Sequence, residues 1–491
     1  MMQKLNRKTL SLPDGVAAPA YNVEKVTPGI VHIGLGGFYR AHFARYTHDL
    51  MEADPANLGW GIIGAGLRSN DTALLQALKR QDGLYTLIER DGMREERVLI
   101  GSILGPIDAS ADRGALLDAI ARPQVRIVSV TVSEHGYHLD GVSRSLNLAD
   151  PGIRHDIDAP RAPKTMLGVI VESFRRRRDA NMPAFTALSC DNIQHNGKVL
   201  RAATLALARQ SDASLAAWIE AHGRFPSSMV DRITPVPTPA QIAEFRDQTG
   251  LADEAPIFAE SFRQWVIEDQ FVDGQRPPWD RVGAQFVDDV APYEAMKLRL
   301  LNASHLAIAS LGALSGYESV IQTINDPLIR RYMERLMDSE TGPTLPRLPG
   351  IDLAAYKAQL IERFANPAIR DTVQRINTDA PINLLLDPLR DRLAAHAPID
   401  LLALALAAWC LRVHNDAAKP IEGRAMGRAE ARLQDQVRTG CGDPASFLSV
   451  EPIFGQLGSN GLLIRAVRSW LQSFQTLGVA QTLRFAEAFC F

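Results

Sequence analysis

A chain of 491 residues exceeds the size at which a single hydrophobic core stops growing, so two domains are expected. With 46% hydrophobic residues, 22% charged residues and a formal net charge of -3, its make-up is that of an ordinary soluble protein. The charge argues against a nucleic-acid partner, and no apolar run is long enough for a membrane helix.

The polar start MMQKLNRKTLSLPDG has no apolar signal core, which leads us to expect a cytoplasmic protein. Cys190, Cys410, Cys441 and Cys490 are scattered and show no C-x-x-C spacing, so we expect free thiols and no bound metal. The first chemical signal is IVHIGLGGFYRAH. Ile30, Val31 and Ile33 read as a short buried strand, Gly34-Leu35-Gly36 closes it, and a helical pattern follows to about Ala53. This is a dinucleotide-binding turn without its third glycine, Tyr39 standing in that place. On these residues alone an ordinary tight turn remains equally open.

Further strands are expected at 59–63, 84–88, 97–103, 125–132 and 184–189, with a helix at 72–79. That alternation predicts a parallel sheet with crossover helices, an α/β Rossmann-like domain over residues 1–288. Two strands end in polar pairs, Ser133-Glu134 and Asp191-Asn192, where open α/β sheets place ligands. Asp191-Asn192 reads equally well as the cap of the helix expected over 197–210. From 289 to 491 the patterns become long and helical, at 292–317, 326–337, 353–364 and 399–413, which predicts a mainly α-helical domain. TGPTLPRLPG, residues 341–350, reads as a loop within it.

The helix PYEAMKLRLLNASHLAIASLGAL carries the most chemistry. With Lys297 at zero on a regular helical wheel, His305 falls at about 80° and Asn302 at about 140°, among leucines, while Arg299 at about 200° points away. A lysine on an apolar face loses hydration, which lowers its pKa and suits it to general-base work. The alternatives are a lysine that snorkels to solvent and a hydrogen-bonded core histidine. Lys297 and His305 lie about 12 Å apart along the axis, a span that suits an extended substrate. In MVDRITP, Asp231-Arg232 reads on its own as a local ion pair or cap.

Taken together, GxGGFxRAH, SCDN, VDRIxP and ExxKxxxxNxxH, in this order and with SFRQWVIEDQFVDG between them, resemble the long-chain polyol dehydrogenases, the mannitol 2-dehydrogenase and fructuronate reductase family. The resemblance implies that NAD binds at Gly34, Gly36, Gly37 and Phe38, with backbone N–H groups on the diphosphate. It implies that Arg68 and Asp71, in GLRSND, meet the adenosine end, Asn70 replacing one acidic residue of the family pattern. By resemblance Lys297 is the general base, and Asn192 and Asn302 are amide donors to the developing alkoxide. His305 orients the substrate and Glu294 gates proton exit from the lysine. Asp231 and Arg375 are substrate-side residues. The family is metal-independent, and monomers are common in it.

The resemblance predicts an NAD-dependent polyol dehydrogenase acting on a hexitol such as D-mannitol and its ketose, D-fructose. The alternative within the family is fructuronate reduction to mannonate. INTDAPINLLLDPLRD lacks the basic residue that the family usually carries after Arg375, Arg390 being the next, which favours a neutral polyol. An NAD-using epimerase and a non-catalytic dinucleotide sensor are the weaker alternatives. The intact Lys-Asn-His set weighs against the sensor.

Overall fold

The computed structural model describes residues 3–8, 12–92, 94–140, 144–369, 371–418, 433 and 443–490. The chain divides into two compact units, Met1–Ala291 and Pro292–Phe491. No helix among the described residues is long and apolar enough to cross a membrane. Cys190 and Cys410 are buried free thiols; Cys441 and the Cys490 side chain lie outside the described residues.

The first unit contains strands β1 (Pro28–Ile33), β2 (Gly61–Gly66), β3 (Tyr85–Asp91), β4 (Arg94–Ile100), β5 (Ile103–Asp108), β6 (Ile127–Val130), β7 (Thr186–Ser189), β8 (Ser228–Asp231), β9 (Ile257–Glu260), β10 (Gln264–Glu268) and β11 (Gln285–Val287). Its helices are α1 (Gly37–Ala41), α2 (Phe43–Ala53), α3 (Thr72–Arg80), α4 (Arg113–Ile120), α5 (Pro151–Asp158), α6 (Met166–Asp179), α7 (Asn196–Ser211), α8 (Ala213–His222) and α9 (Pro239–Thr249). Five strands form a parallel sheet in the order β5-β2-β1-β6-β7. Helices cover both faces, so its central strand is buried on both sides. Val31 and Ile33 pack with α4, α6 and α7, whereas Ile30 packs with α2 and the indoles of Trp265 and Trp279. Burying each such side chain contributes about 1.5–3 kcal/mol.

The expected strand over 97–103 is two strands. The chain turns at Gly101-Ser102, leaving β4 antiparallel to β3 and starting β5 beside β2. Both halves are apolar, so periodicity alone does not mark the corner. The helical run expected to Ala53 is likewise broken at His42, whose φ of -109° and ψ of -81° separate α1 from α2. Two three-stranded sheets, β4-β3-β9 and β11-β10-β8, complete the first unit.

The described part of the second unit is helical. It contains α10 (Ala291–Met296), α11 (Ala303–Leu314), α12 (Val320–Ile324), α13 (Pro327–Leu336), α14 (Leu353–Phe364), α15 (Val373–Asp379), α16 (Asn383–Ala394), α17 (Asp400–Ala418) and a helical stretch over Gly461–Cys490 that breaks at Gly478, where φ is 73° and ψ 176°. The apolar α11 lies against α15 and α17, and the Asn377 side-chain amide donates to Ala309 O.

Candidate functional site

In the five-stranded sheet the chain leaves β1 in one direction to β2 and β5, and in the other to β6 and β7. The crevice at such a reversal, outside the carboxyl ends of β1 and β6, is where α/β sheets bind dinucleotides. The turn after β1 occupies it. Gly34 has φ +102°, and a Cβ there would lie 1.9 Å from Thr131 O, at the end of β6. Only glycine therefore lets the two strand ends meet. The junction is tied by Thr131 Oγ1, which donates to Gly34 O at 2.6 Å, and by buried His32, whose Nε2 lies 2.9 Å from Thr131 Oγ1. Burial holds the His32 ring well below its ordinary pKa, so it is neutral.

Gly36 is different. It is exposed, and a Cβ built on it meets nothing within 4 Å, so a ligand phosphate has open access to the backbone. Gly37 and Phe38 follow as the first turn of α1, whose N–H groups have no acceptor within the helix. These features fit the diphosphate of NAD. After β2, Arg68 and Asp71 close a turn on each other. The Asp71 carboxylate accepts from Arg68 N at 3.3 Å and lies 3.4 Å from Arg68 Nη2, while the Arg68 side chain remains 77% exposed.

Asp191 and Asn192 follow β7. The reading of this pair as a helix cap is corrected, because the cap of α7 is His195, which makes no side-chain capping bond. Asp191 Oδ1 instead accepts from Val132 N and Ser133 N, each at 2.8 Å, and Oδ2 accepts from the Tyr137 hydroxyl at 2.8 Å. Asn192 is exposed beside it. Asp231 is buried at the end of β8, opposite Gln264 of β10. Its neighbour Arg232 is a long-range tie: the guanidinium binds Glu89, Ala41 O and Glu260 O.

In the second unit, the helix expected over 292–317 is interrupted by one wide turn, Lys297–Asn302, in which Ala303 N–H reaches back five residues to Leu298 O. Such a turn is a one-residue insertion and sets every later residue back by about 100°. The wheel positions are corrected accordingly. Asn302 moves from about 140° to about 40° from Lys297, and His305 from about 80° to about -20°. Three groups that a regular helix spreads over a third of its circumference share a narrow stripe. Lys297 and Glu294 are buried, whereas Asn302 and His305 are half-buried. The His305 ring packs on Phe364 of α14, 4.6 Å between centroids. Arg299 lies off the stripe, donating to Thr344 O and pairing with Asp391 of α16, both at 2.6 Å. It braces the wide turn from behind.

Arg375, on α15, is bound to Asp371 through Nε at 2.7 Å and Nη2 at 2.5 Å, with Asp379 3.6 Å away. The next basic residue, Arg390, pairs with Asp387. Among the described residues the one group with metal-ligand geometry is His48, Asp49 and Glu52. Its side chains are engaged by Tyr21, Arg45 and Arg263. The sequence reading missed the Asp191 clamp, the His32 support and the Arg299 brace. For the first, the polar pair after each of two adjacent strands was a usable signal.

Residues 28–281 match the mannitol dehydrogenase Rossmann domain, and residues 289–475 the mannitol dehydrogenase C-terminal domain. The chain belongs to the mannitol dehydrogenase family. It is 46% identical to D-mannonate oxidoreductase of Escherichia coli K12 over 80% of this chain and 82% of that one. It is 38% identical to mannitol 2-dehydrogenase of Cereibacter sphaeroides over 96% and 98%. Among solved structures it is similar to Pseudomonas fluorescens mannitol 2-dehydrogenase in ternary complex with NAD and D-mannitol, with a TM-score of 0.86 and 40% identity over 99% of this chain and 100% of that one. The family read from the four motifs, and the Rossmann-like fold with it, are borne out.

Proposed function

We propose that the protein is an NAD-dependent dehydrogenase that interconverts a hexitol, D-mannitol foremost, and its ketose. The observation that carries the reading is the helix face shared by Lys297, Asn302 and His305, which the wide turn narrows, in a chain that matches a mannitol- and NAD-bound relative over nearly its full length. Bound NAD supplies the hydride acceptor. In the first unit, Gly34, Gly36, Gly37 and Phe38 hold the diphosphate, Arg68 and Asp71 serve the adenosine end, and Asn192 offers its amide to the alkoxide. In the second unit, Lys297 takes the hydroxyl proton, Asn302 donates to the same oxygen, and His305 orients the carbon chain. Glu294, one turn earlier, carries the proton away from the lysine. Asp231 and Arg375 contact substrate hydroxyls. The buried free thiols Cys190 and Cys410 suit a reducing cytoplasm. The active species is proposed to be a monomer.

A second reading, reduction of fructuronate to mannonate, is favoured by the 46% identity to D-mannonate oxidoreductase. Charge favours the first. A uronate carboxylate calls for an uncompensated cation, whereas Arg375 and Arg390 are both already paired with aspartates. The test is NADH oxidation with D-fructose against D-fructuronate. A higher kcat/KM for fructose supports the polyol reading, and a higher value for fructuronate replaces it with the second.

A further inference from the structure

The turn after β6 is held in a shape that its sequence does not favour. Ser133 has φ +63° and ψ 170°, a region that is nearly exclusive to glycine and persists in other residues only where the surroundings enforce it. The enforcing group is Asp191. Its carboxylate is buried, yet it accepts three hydrogen bonds, two from the consecutive backbone N–H groups of Val132 and Ser133 and one from Tyr137. Tyr137 is itself buried and shares its hydroxyl with Ser189 Oγ at 2.6 Å, which ties the clamp to β7. Burial pushes the Asp191 carboxyl up from its ordinary pKa, and the bonds from Tyr137, Ser133 and Val132 oppose that shift. A buried carboxylate is a costly way to shape an exposed turn. Such cost and such backbone strain cluster where a ligand must be gripped.

The place of the turn says which part of the ligand. A dinucleotide lies across the crevice between β1 and β6, with its diphosphate at the turn after β1 and its adenosine ribose beside the end of β2. The other half of the molecule then lies over the ends of β6 and β7. We propose that Asp191 is a positioning residue for the nicotinamide half of the cofactor, holding Ser133 and the 132–137 turn as the wall against which that half is seated. This rests on the dinucleotide reading of the first unit. The adjacent Asn192 inherits its place from the same anchor.

The test compares two ligands that share the adenosine diphosphate-ribose part. In D191A, the dissociation constant of NADH, followed by its fluorescence, should rise about tenfold or more, while that of ADP-ribose changes less than about twofold. Adding S133G to D191A removes the backbone penalty and should recover at least about a third of the lost free energy of NADH binding. If D191A does not fold, D191N is read in its place. Its side-chain oxygen still accepts from both N–H groups, so it should show the same selectivity with a loss of about two- to fivefold. Equal weakening of NADH and ADP-ribose, unchanged NADH binding, or no recovery with S133G overturns the proposal. Wild-type protein that binds neither ligand overturns the dinucleotide reading as well.

Discussion

Two glycines of one turn should fail in opposite ways when each is replaced by alanine. At Gly34 the new methyl group sits 1.9 Å from Thr131 O on a backbone with φ +102°. The conformation alone costs about 1–3 kcal/mol for a residue with a Cβ, and the overlap must be relieved by moving the end of β6, which is backbone. For a unit of this size each kcal/mol lowers Tm by about 2–4 °C, so Gly34→Ala should lose several degrees at least. At Gly36, φ is -80° and nothing lies within 4 Å of the new methyl. Alanine there gains about 0.4–1 kcal/mol by restricting the unfolded chain and loses a similar amount at a helix N-cap, leaving Tm nearly unchanged. The methyl group occupies the approach of the diphosphate instead. Losing one charge-assisted backbone hydrogen bond of about 1.5–3 kcal/mol weakens NADH binding by about 10- to 150-fold. Thermal unfolding and fluorescence titration of the two variants separate these effects. A Gly36→Ala protein that binds NADH like the wild type, or a Gly34→Ala protein with unchanged Tm, would refute the assignment of tight turn to one and phosphate access to the other.

Lys297→Ala should lower kcat for alcohol oxidation by about 10²–10⁴-fold while NADH affinity stays within about twofold; lost cofactor binding with normal chemistry would remove Lys297 from the role of base. Glu340 is buried, its oxygens accept from Leu401 N and Leu402 N at the start of α17, and burial pushes its pKa up to about 7. A carboxyl whose folded pKa lies above its unfolded value contributes stability below the unfolded pKa and loses it as pH rises through the folded one. Unfolding free energy should therefore fall by roughly 3 kcal/mol on this account between about pH 4.5 and above pH 7. Glu340→Gln should flatten that slope, and an unaltered slope would refute the shift.

The strands of the dinucleotide sheet were legible because a parallel sheet covered on both faces needs mostly apolar strands, as at Ile30–Ile33 and Val128–Val130, where the polar members His32 and Ser129 are buried against each other. The turn glycines were legible for a related reason, since a sharp reversal between strand and helix leaves few residue types. The wide turn at Lys297–Asn302 was not. A one-residue insertion keeps the segment helical and apolar; the regular wheel already put the three polar groups on one face, and only the hydrogen-bond register reveals how closely they align. The pairing of β3 with β9, Leu87 opposite Ile257, was also hidden, because nothing local encodes a partner so distant in sequence. The Asp191 clamp lay between these cases. Both polar pairs were visible at strand ends, but their contact depends on β6 and β7 being neighbours.

The most direct measurement is NADH formation by the wild-type protein offered D-mannitol and NAD. The account predicts steady turnover, with D-fructose as product and one proton released for each NADH formed. No NADH from D-mannitol or any other neutral hexitol, in a protein shown to be folded and to bind NAD, would contradict it.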